Sequence, residues 1–509
     1  MFPFDTDFET EVTLETELMP ISEDFPFHIL FLGDWSGRDS RSVDSDSSNS
    51  HPIEIDRDNF DDVMKRLRIR LDLDFQGDGE NVLSINFTKL DDFHPDNIFQ
   101  QLPFFANLQD IRRRLINKDS FNEAAREVRT WIIDTENVEE SELEAQNLSS
   151  EIKQPAPDNI LDQILDKTEE NVSPPENLNA EMSELSGLIK KLVKPHLIQI
   201  DAAEQSKLLM IIDEVTADLM RKVLHHPQFQ ALESAWRSVD LFVRRIETDA
   251  YLKLFLLDIS KCELANNLKS VSDLDDSYIY QILTENPAKP WAVACGDYTF
   301  KLNVDDVAVL IRLAKLGKVA DTPFISHIQP EMLAVKSFDS DLASDSWRIS
   351  EDSTEGKLWK TLRSLSEANY LGLISPRYLT RLPYGEKTEP TETFFFEEFT
   401  ELSEHEHYLW ANPSFVCALL LAQNFQRYGW NMEQNLIQDL DNLPIHLFQE
   451  DGEVKTKPCA EIVMTQSNCE KLLEQGLMPL ISFRNSDRIR LGRFQSIALD
   501  NSVLSGRWN

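Results

Sequence analysis

Apolar residues near the start of the chain follow first a strand pattern and then a helical one. The run Phe27–Leu32 (FHILFL) is apolar apart from one histidine, which predicts a buried β-strand. After a Ser- and Asp-rich loop, apolar residues at 60, 63, 64 and 67 recur with the 3.6-residue period of a helix, and Asp58 or Asn59 is placed to cap it. Alternation at 82–87 predicts another strand. We therefore expect a strand-helix-strand unit here.

Two histidine-proline pairs mark corners between elements. In DFHPDN, Pro95 suits a first helical turn, so His94 and its acidic neighbours form a strand-to-helix corner in preference to a His/Asp catalytic pair. Pro103 divides the following helical pattern in two. In HHPQFQ, a helix is expected to end before Pro227.

The second half of the chain alternates helical and strand-like patterns. A long helical pattern (LLMIIDEV onward) precedes the strand-like YLKLFLLDIS and PWAVACGDYTF, and the apolar FVCALLLAQNF is typical of a buried helix. No repeat of solenoid period is present. This alternation predicts an α/β fold with mixed sheets flanked by helices, organised as two folded parts joined by an acidic linker.

Composition divides the chain into four regions. Residues 1–24 form an acidic arm in which EVTLETEL alternates like a strand, and 25–136 form the first folded part. Residues 137–185 are rich in Glu, Asp, Ser, Asn and Pro and are expected to be a disordered linker; residues 186–509 form the second folded part. Within the linker, one apolar stripe predicts a short amphipathic helix, either a docking motif or a passive turn: Ile160, Leu161, Ile164 and Leu165.

Charge and cysteine usage narrow the class of protein. The 509 residues carry a formal charge of -39, which disfavours nucleic acid and anionic lipid as partners. Five widely spaced cysteines without a C-x-x-C pair suit a reducing cytosol. The acidic start does not resemble a signal peptide, and the longest apolar runs are too short to cross a bilayer. We expect a cytoplasmic protein without direct membrane insertion.

Candidate chemistry along the chain is sparse. The turn Gly33–Arg38 (GDWSGR) lacks the lysine and hydroxyl of a P-loop, and Cys295 has no supporting histidine motif, so a small buried thiol is expected. His225 and His226 point about 100° apart on a helix, a poor metal pair. His405–His407 (HEH) offers two metal ligands on a strand but no third. We expect no enzyme, no metal and no cofactor.

One basic cluster stands out in this acidic protein. IRRRLINK places three arginines together on a helix: Arg112, Arg113 and Arg114. Such a run is either a solvated face or a contact with an acidic neighbour in an assembly.

Several segments, taken in order, resemble a known family. PFHILFLGDWSGR, IEIDRDNFDDVMKRL and the FHPDN-to-RRRL segment are similar to the small subunit (TssB or VipA type) of the bacterial type VI secretion contractile sheath. HHPQFQALESAWRSVDLFV, PWAVACGDYTF, SPRYLTRLPYG, FFFEEF and LPIHLFQEDGEVKTKPCAEI resemble its large subunit (TssC or VipB type). The resemblance implies both subunits fused in one chain. The large-subunit pattern continues past RFQSIAL in the family, so we expect its C-terminal part to be shortened here.

The resemblance also implies a function. Sheath protomers of this family assemble with other sheath subunits around an Hcp-like inner tube, contract to propel it, contact a baseplate, and are dismantled by a ClpV-type AAA+ ATPase. It places the stripe at 160–165 where that ATPase docks, and it implies strand exchange between protomers, with the arm as a donor. The alternative is a sheath-like adaptor, cap or regulator that binds the true sheath or baseplate without polymerising. A nucleotide-binding or enzymatic protein is the third and least supported alternative.

Overall fold

The computed structural model describes ten stretches of the chain. These are residues 26–41, 50–75, 82–117, 119–130, 204–284, 290–329, 349–399, 405–432, 436–450 and 453–508. The acidic arm, the whole of the linker at 137–185 and the stripe of Ile160, Leu161, Ile164 and Leu165 therefore lie outside the described residues.

Fifteen strands are present in these stretches. They are β1 (Phe27–Gly33), β2 (Ile53–Ile55), β3 (Ile69–Asp74), β4 (Val82–Phe87), β5 (Leu252–Asp258), β6 (Trp291–Phe300), β7 (Phe324–Ile328), β8 (Leu371–Ser375), β9 (Tyr378–Leu379), β10 (Trp410–Ala411), β11 (Asp439–Leu440), β12 (His446–Glu450), β13 (Glu453–Lys457), β14 (Met478–Ser482) and β15 (Ile489–Leu491).

Eleven α-helices with described bounds accompany them. They are α1 (Phe60–Leu67), α2 (Pro95–Gln101), α3 (Pro103–Ile116), α4 (Glu204–Leu224), α5 (Pro227–Arg245), α6 (Lys261–Ser270), α7 (Tyr278–Thr284), α8 (Val304–Ala320), α9 (Thr354–Arg363), α10 (Ser414–Tyr428) and α11 (Gln466–Glu474). Residues 121–130 are also helical. The predicted α/β class is confirmed.

Nine strands form one mixed sheet that both halves of the chain build together. Its order is β11-β15-β14-β8-β7-β6-β1-β5-β2. Strand β1 pairs in parallel with β5 along all seven of its residues and with β6 on its other side. A strand from before the linker thus lies between two strands from after it. The two predicted folded parts therefore share a sheet, which the sequence did not predict.

The composition of β1 explains its central position. All seven of its residues are buried, as expected for a parallel strand covered on both faces. Because successive side chains point to opposite faces, Ile29 and Phe31 enter one apolar core and Leu30 and Leu32 enter the other. Helices such as α5 and α10 cover the first face, and α8 covers the second.

The helix boundaries follow the predicted corners, with one exception. Pro95 and Pro103 each begin a helix, as the patterns predict. The helix before Pro227 ends at Leu224, as predicted, and Pro227 itself begins α5. The capping prediction for α1 was wrong: Asn59 precedes the helix, but its side chain makes no cap hydrogen bond and accepts the Asp56 backbone N–H at 2.9 Å instead. Asn59 is therefore used in the turn that leads into α1.

Candidate functional site

The turn after β1 is closed by its own residues. The Asp34 carboxylate accepts the backbone N–H groups of Arg38 at 2.6 Å and Asp39 at 2.9 Å. The Arg38 guanidinium donates to the Asp258 carbonyl at 3.0 Å and pairs with Glu263 at 3.1 Å. The backbone N–H groups of Arg38 and Asp39, which could otherwise bind a phosphate, are thus engaged inside the turn.

Three aspartates lie at the carboxyl ends of neighbouring parallel strands. Asp34 follows β1, Asp258 ends β5, and Asp297 lies near the end of β6. Burial raises the pKa of Asp34 to about 6 and of Asp297 to about 7, and it also raises the pKa of Asp258. The sequence analysis missed this cluster, although an aspartate in LGD, LLD and CGD marks each strand end.

Two tryptophans, one in the turn after β1 and one on α5, join the two halves of the chain. The Trp236 indole N–H donates to the Trp35 carbonyl at 3.0 Å, and the rings meet edge to face with centroids 5.9 Å apart. The Trp35 indole N–H donates to the Leu257 carbonyl at 3.1 Å. Both tryptophans are fully buried. The GDWSGR and LESAWR motifs therefore meet in a structural junction.

A buried ion network links three more of the family-like motifs. Arg381 of PRYLTRLPYG pairs with Glu233 of LESAWR at 2.8 Å and with Glu398 of FFFEEF at 2.7 Å. Arg237 also pairs with Glu233, at 2.7 Å, and donates to the Tyr384 hydroxyl at 2.8 Å. Burial is the largest single influence on Glu398 and opposes its ionisation, but the charges and hydrogen bonds of Arg381 and His225 together outweigh burial and lower the pKa of Glu398 to about 2. Two arginines thus neutralise two buried glutamates.

Of the histidines singled out in the sequence, His225 contacts this network. His225 approaches Glu398 at 3.5 Å and stacks on His407 with ring centroids 4.1 Å apart. His226 caps α5 by accepting the Gln228 N–H at 3.3 Å. The expectation that HEH could present metal ligands on a strand was wrong, since His405–His407 form a 3₁₀ turn. Throughout the described stretches, no group of three or more His, Cys, Asp or Glu side chains is arranged to hold a metal.

The candidate nucleophile Cys295 lies in the middle of β6. It is fully buried, as expected, and burial raises the pKa of its thiol well above the usual range. A deeply buried neutral thiol in a central strand is a packing residue.

The three arginines of IRRRLINK lie on α3 and have acidic partners within the chain. Arg112 pairs with Asp213 of α4 at 2.6 Å. Arg113 and Arg114 both pair with Asp110, at 2.5 and 2.8 Å, and Arg114 also reaches Glu127 at 2.7 Å. Arg112 therefore ties the first half of the chain to the second, while a contact with another subunit stays a prediction.

The hairpin of β12 and β13 exposes two apolar side chains. It forms a separate two-stranded sheet in which Leu447 pairs with Thr456 and Gln449 with Val454. Leu447 and Val454 are 60% and 73% exposed. Within the described stretches neither strand has a second strand partner. Such edges are templates for pairing with another strand.

The base of this hairpin is fixed to the body of the protein. His446 lies 2.7 Å from the Tyr408 hydroxyl, and the Lys457 ammonium lies over the Tyr408 ring, 4.8 Å from its centroid. Both His446 and Lys457 are buried. The hairpin is thus held at its base and presents apolar side chains to solvent.

Comparison with known proteins gives two family matches and one relative. The VipB family, described as an EvpB-type tail sheath N-terminal domain, matches residues 206–498, and the type VI secretion system VipA family matches residues 11–153. The chain is 33% identical over 310 residues to the type VI secretion system sheath protein TssC1 of Pseudomonas aeruginosa, a match that covers 58% of this chain and 62% of that protein. Among the described helices, none is both long and apolar enough to cross a membrane.

Proposed function

The chain belongs to the VipB tail sheath family and carries a VipA-type segment ahead of it, and on this basis we propose that it is a fused protomer of a type VI secretion sheath. In this role it assembles around an inner tube and contracts to propel it. The observation that carries the proposal is β1: a strand of the VipA-type segment completes the sheet of the VipB-type segment between β5 and β6. The two segments thus share one sheet, which suits a single lattice building block.

The buried family-like motifs support a structural role. Trp35, Trp236, Glu233, Arg381 and Glu398 join elements to one another and are all buried. A sheath of this kind does mechanical work by moving between two lattice arrangements of rigid protomers, which needs a firmly connected body and no active site. We accordingly propose that the protein is not an enzyme.

The contact between protomers is proposed to include strand addition at the β12–β13 hairpin. The hairpin is anchored at one end and has open edges with exposed Leu447 and Val454. Residues 11–18 (EVTLETEL) have the alternating pattern of a donor strand.

Arg112, Arg113 and Arg114 are proposed as additional contacts with neighbouring subunits. The remaining partners proposed are an Hcp-like tube, a baseplate and a ClpV-type ATPase that engages Ile160, Leu161, Ile164 and Leu165, all in the bacterial cytoplasm.

Ultracentrifugation of the purified chain tests the strand-addition contact. The wild type is expected to pellet as large assemblies. Leu447→Arg/Val454→Arg is expected to lower the pelleted fraction at least about tenfold, because a loss of about 1.4 kcal/mol per contact already lowers the association constant of that contact tenfold. The control is Val319→Arg, which changes a residue of α8 that is 62% exposed. Equal pelleting of all three proteins would exclude the hairpin as a contact.

A further inference from the structure

The turn after β1, residues 34–41, fastens the first half of the chain to the second. Ser36 donates to the Asp258 carboxylate from its hydroxyl at 2.7 Å and from its backbone N–H at 3.2 Å. The Arg38 guanidinium lies between Asp258 and Glu263, at nitrogen–oxygen distances of 3.6 and 3.1 Å. The turn is thus attached to the end of β5 and the start of α6, where Arg38 balances part of the acidic charge.

On the other side of β1, strand β6 places Asp297 against the start of the turn. Leu32 pairs with Gly296, so Gly33 and Asp297 follow next in register. Gly33 permits a close approach, because a Cβ at this position would lie 3.2 Å from the Asp297 Cβ and 3.0 Å from the Trp35 ring. The carboxyl groups of Asp297 and of the residue after Gly33, Asp34, are therefore neighbours from different halves of the chain.

Asp297 has no cationic partner among the described residues. Burial and the charge of Asp34 raise its pKa to about 7, and Asn412, the group that opposes them, is neutral. The charges that act on Asp34 include two further acids, Asp39 and Asp258. The other titratable groups coupled to Asp297 are uncharged at neutral pH: Cys295, Tyr298 and Tyr378. A second negative charge at Asp297 is therefore uncompensated.

Asp34 is the better position for a single negative charge. Its carboxylate accepts the backbone N–H groups of Arg38 and Asp39, which stabilise the ionised form. Burial raises the pKa of Asp34 to about 6, which is below that of Asp297. Between these two values Asp34 carries the charge and Asp297 keeps its proton.

We propose that Asp34 and Asp297 act as a proton-operated latch on the 34–41 turn, which is closed while Asp297 keeps its proton and opens when that proton is lost to water. Loss of the proton leaves two adjacent carboxylates, and their repulsion is relieved when the turn moves away from β6. Strand β1 stays paired with β5 and β6, so the opening is confined to the turn. The inference does not depend on the sheath function.

Amide hydrogen exchange of the purified full chain tests the latch. After correction for the pH dependence of intrinsic exchange, protection of amides 35–41 is expected to fall about tenfold between about pH 6 and about pH 8. This factor follows because the pKa of Asp297 is about 7 in the closed turn and returns toward 3.8 in the open one. Protection that does not change over this pH range would overturn the proposal, and this comparison needs only the wild type.

Two substitutions separate Asp297 from other acids. Asp297→Asn keeps the shape and removes the charge, so the fall in protection should shrink to about twofold or less. Asp305→Asn is the matched control, because it changes an exposed aspartate of α8 that pairs with Lys269, and it should keep the tenfold fall. A tenfold fall that persists in Asp297→Asn would overturn the proposal.

Strand β1 provides the comparison within the molecule. Amides 29–32 belong to the central strand and should stay better protected than amides 35–41 at both pH values, as a local opening requires. Equal protection of the strand and the turn at the higher pH would show that they open only together, which would overturn the latch.

Discussion

Replacing Arg381 by leucine isolates the role of the buried ion network. In the wild type Arg381 is 5% exposed and bridges Glu233 and Glu398, which are 0% and 1% exposed. Leucine leaves Glu233 with Arg237, but it leaves Glu398 with only His225 at 3.5 Å and the Tyr384 backbone N–H at 2.7 Å. The substitution therefore leaves the buried carboxylate of Glu398 without an arginine partner.

The expected cost follows from the pKa of Glu398. The network lowers this pKa from 4.5 to about 2, which corresponds to about 3 kcal/mol of stability at pH 7. This agrees with the roughly 3–5 kcal/mol expected when one partner of a buried ion pair is removed. Because the folded pKa lies below the unfolded one, the stabilisation is complete above pH 4.5 and is lost as the pH falls toward 2. The difference between wild type and variant should therefore shrink by about 1–2 kcal/mol between pH 7 and pH 3.5.

Urea unfolding at both pH values, followed by tryptophan fluorescence, measures this difference. Arg490→Leu is the matched control: it removes a bidentate but exposed pair with Asp439, formed at 2.7 and 2.6 Å, and should cost less than about 1 kcal/mol. Arg381→Leu/Glu398→Leu should be more stable than Arg381→Leu alone. A cost below about 1 kcal/mol for Arg381→Leu, or one that does not change with pH, would refute the reasoning.

Three further predictions concern the strand-end acids, the tryptophan junction and the arginines. Burial raises the pKa of Asp297 to about 7, so the stability that its neutral form contributes is complete below about pH 4 and is lost as the pH rises through 7. In urea titrations the unfolding free energy of the wild type should therefore fall between about pH 5 and about pH 8. Asp297→Asn should reduce this fall by about 2–3 kcal/mol. Trp236→Phe removes the donor to the Trp35 carbonyl and should cost about 1–3 kcal/mol, while Trp236→Ala should cost about 3–5 kcal/mol by the same measurement. Arg112→Glu/Arg113→Glu should reduce pelleting of assemblies while thermal unfolding changes little; unchanged pelleting would restrict these arginines to contacts within the chain.

Local patterns predicted several of the elements correctly. The unbroken apolar run of β1, the helical period of α1 and the proline corners before α2, α3 and α5 depend on neighbouring residues, and each is found where the pattern placed it. The predicted cap of α1 was wrong because the Asn59 side chain accepts the Asp56 backbone N–H instead. A helical pattern of apolar residues does not reveal such a competing hydrogen bond.

The pairing of β1 and the buried network could not be predicted in the same way. Phe27 pairs with Leu252, more than 200 residues away. The apolar run of β1 predicts a buried strand, but its sequence does not indicate which strands lie beside it. Glu233 and Arg381 are 148 residues apart, and neither lies in a pattern that marks a buried charge. Family resemblance identified the motifs that contain these residues, but only the fold shows that they contact one another.

Negative-stain electron microscopy of the purified chain, alone and mixed with its tube protein, tests the central claim most directly. A fused sheath protomer is expected to form tubes or stacked rings, which should surround the inner tube when it is present. Persistent monomers or small oligomers under both conditions would contradict the claim and would instead support a sheath-like adaptor, cap or regulator.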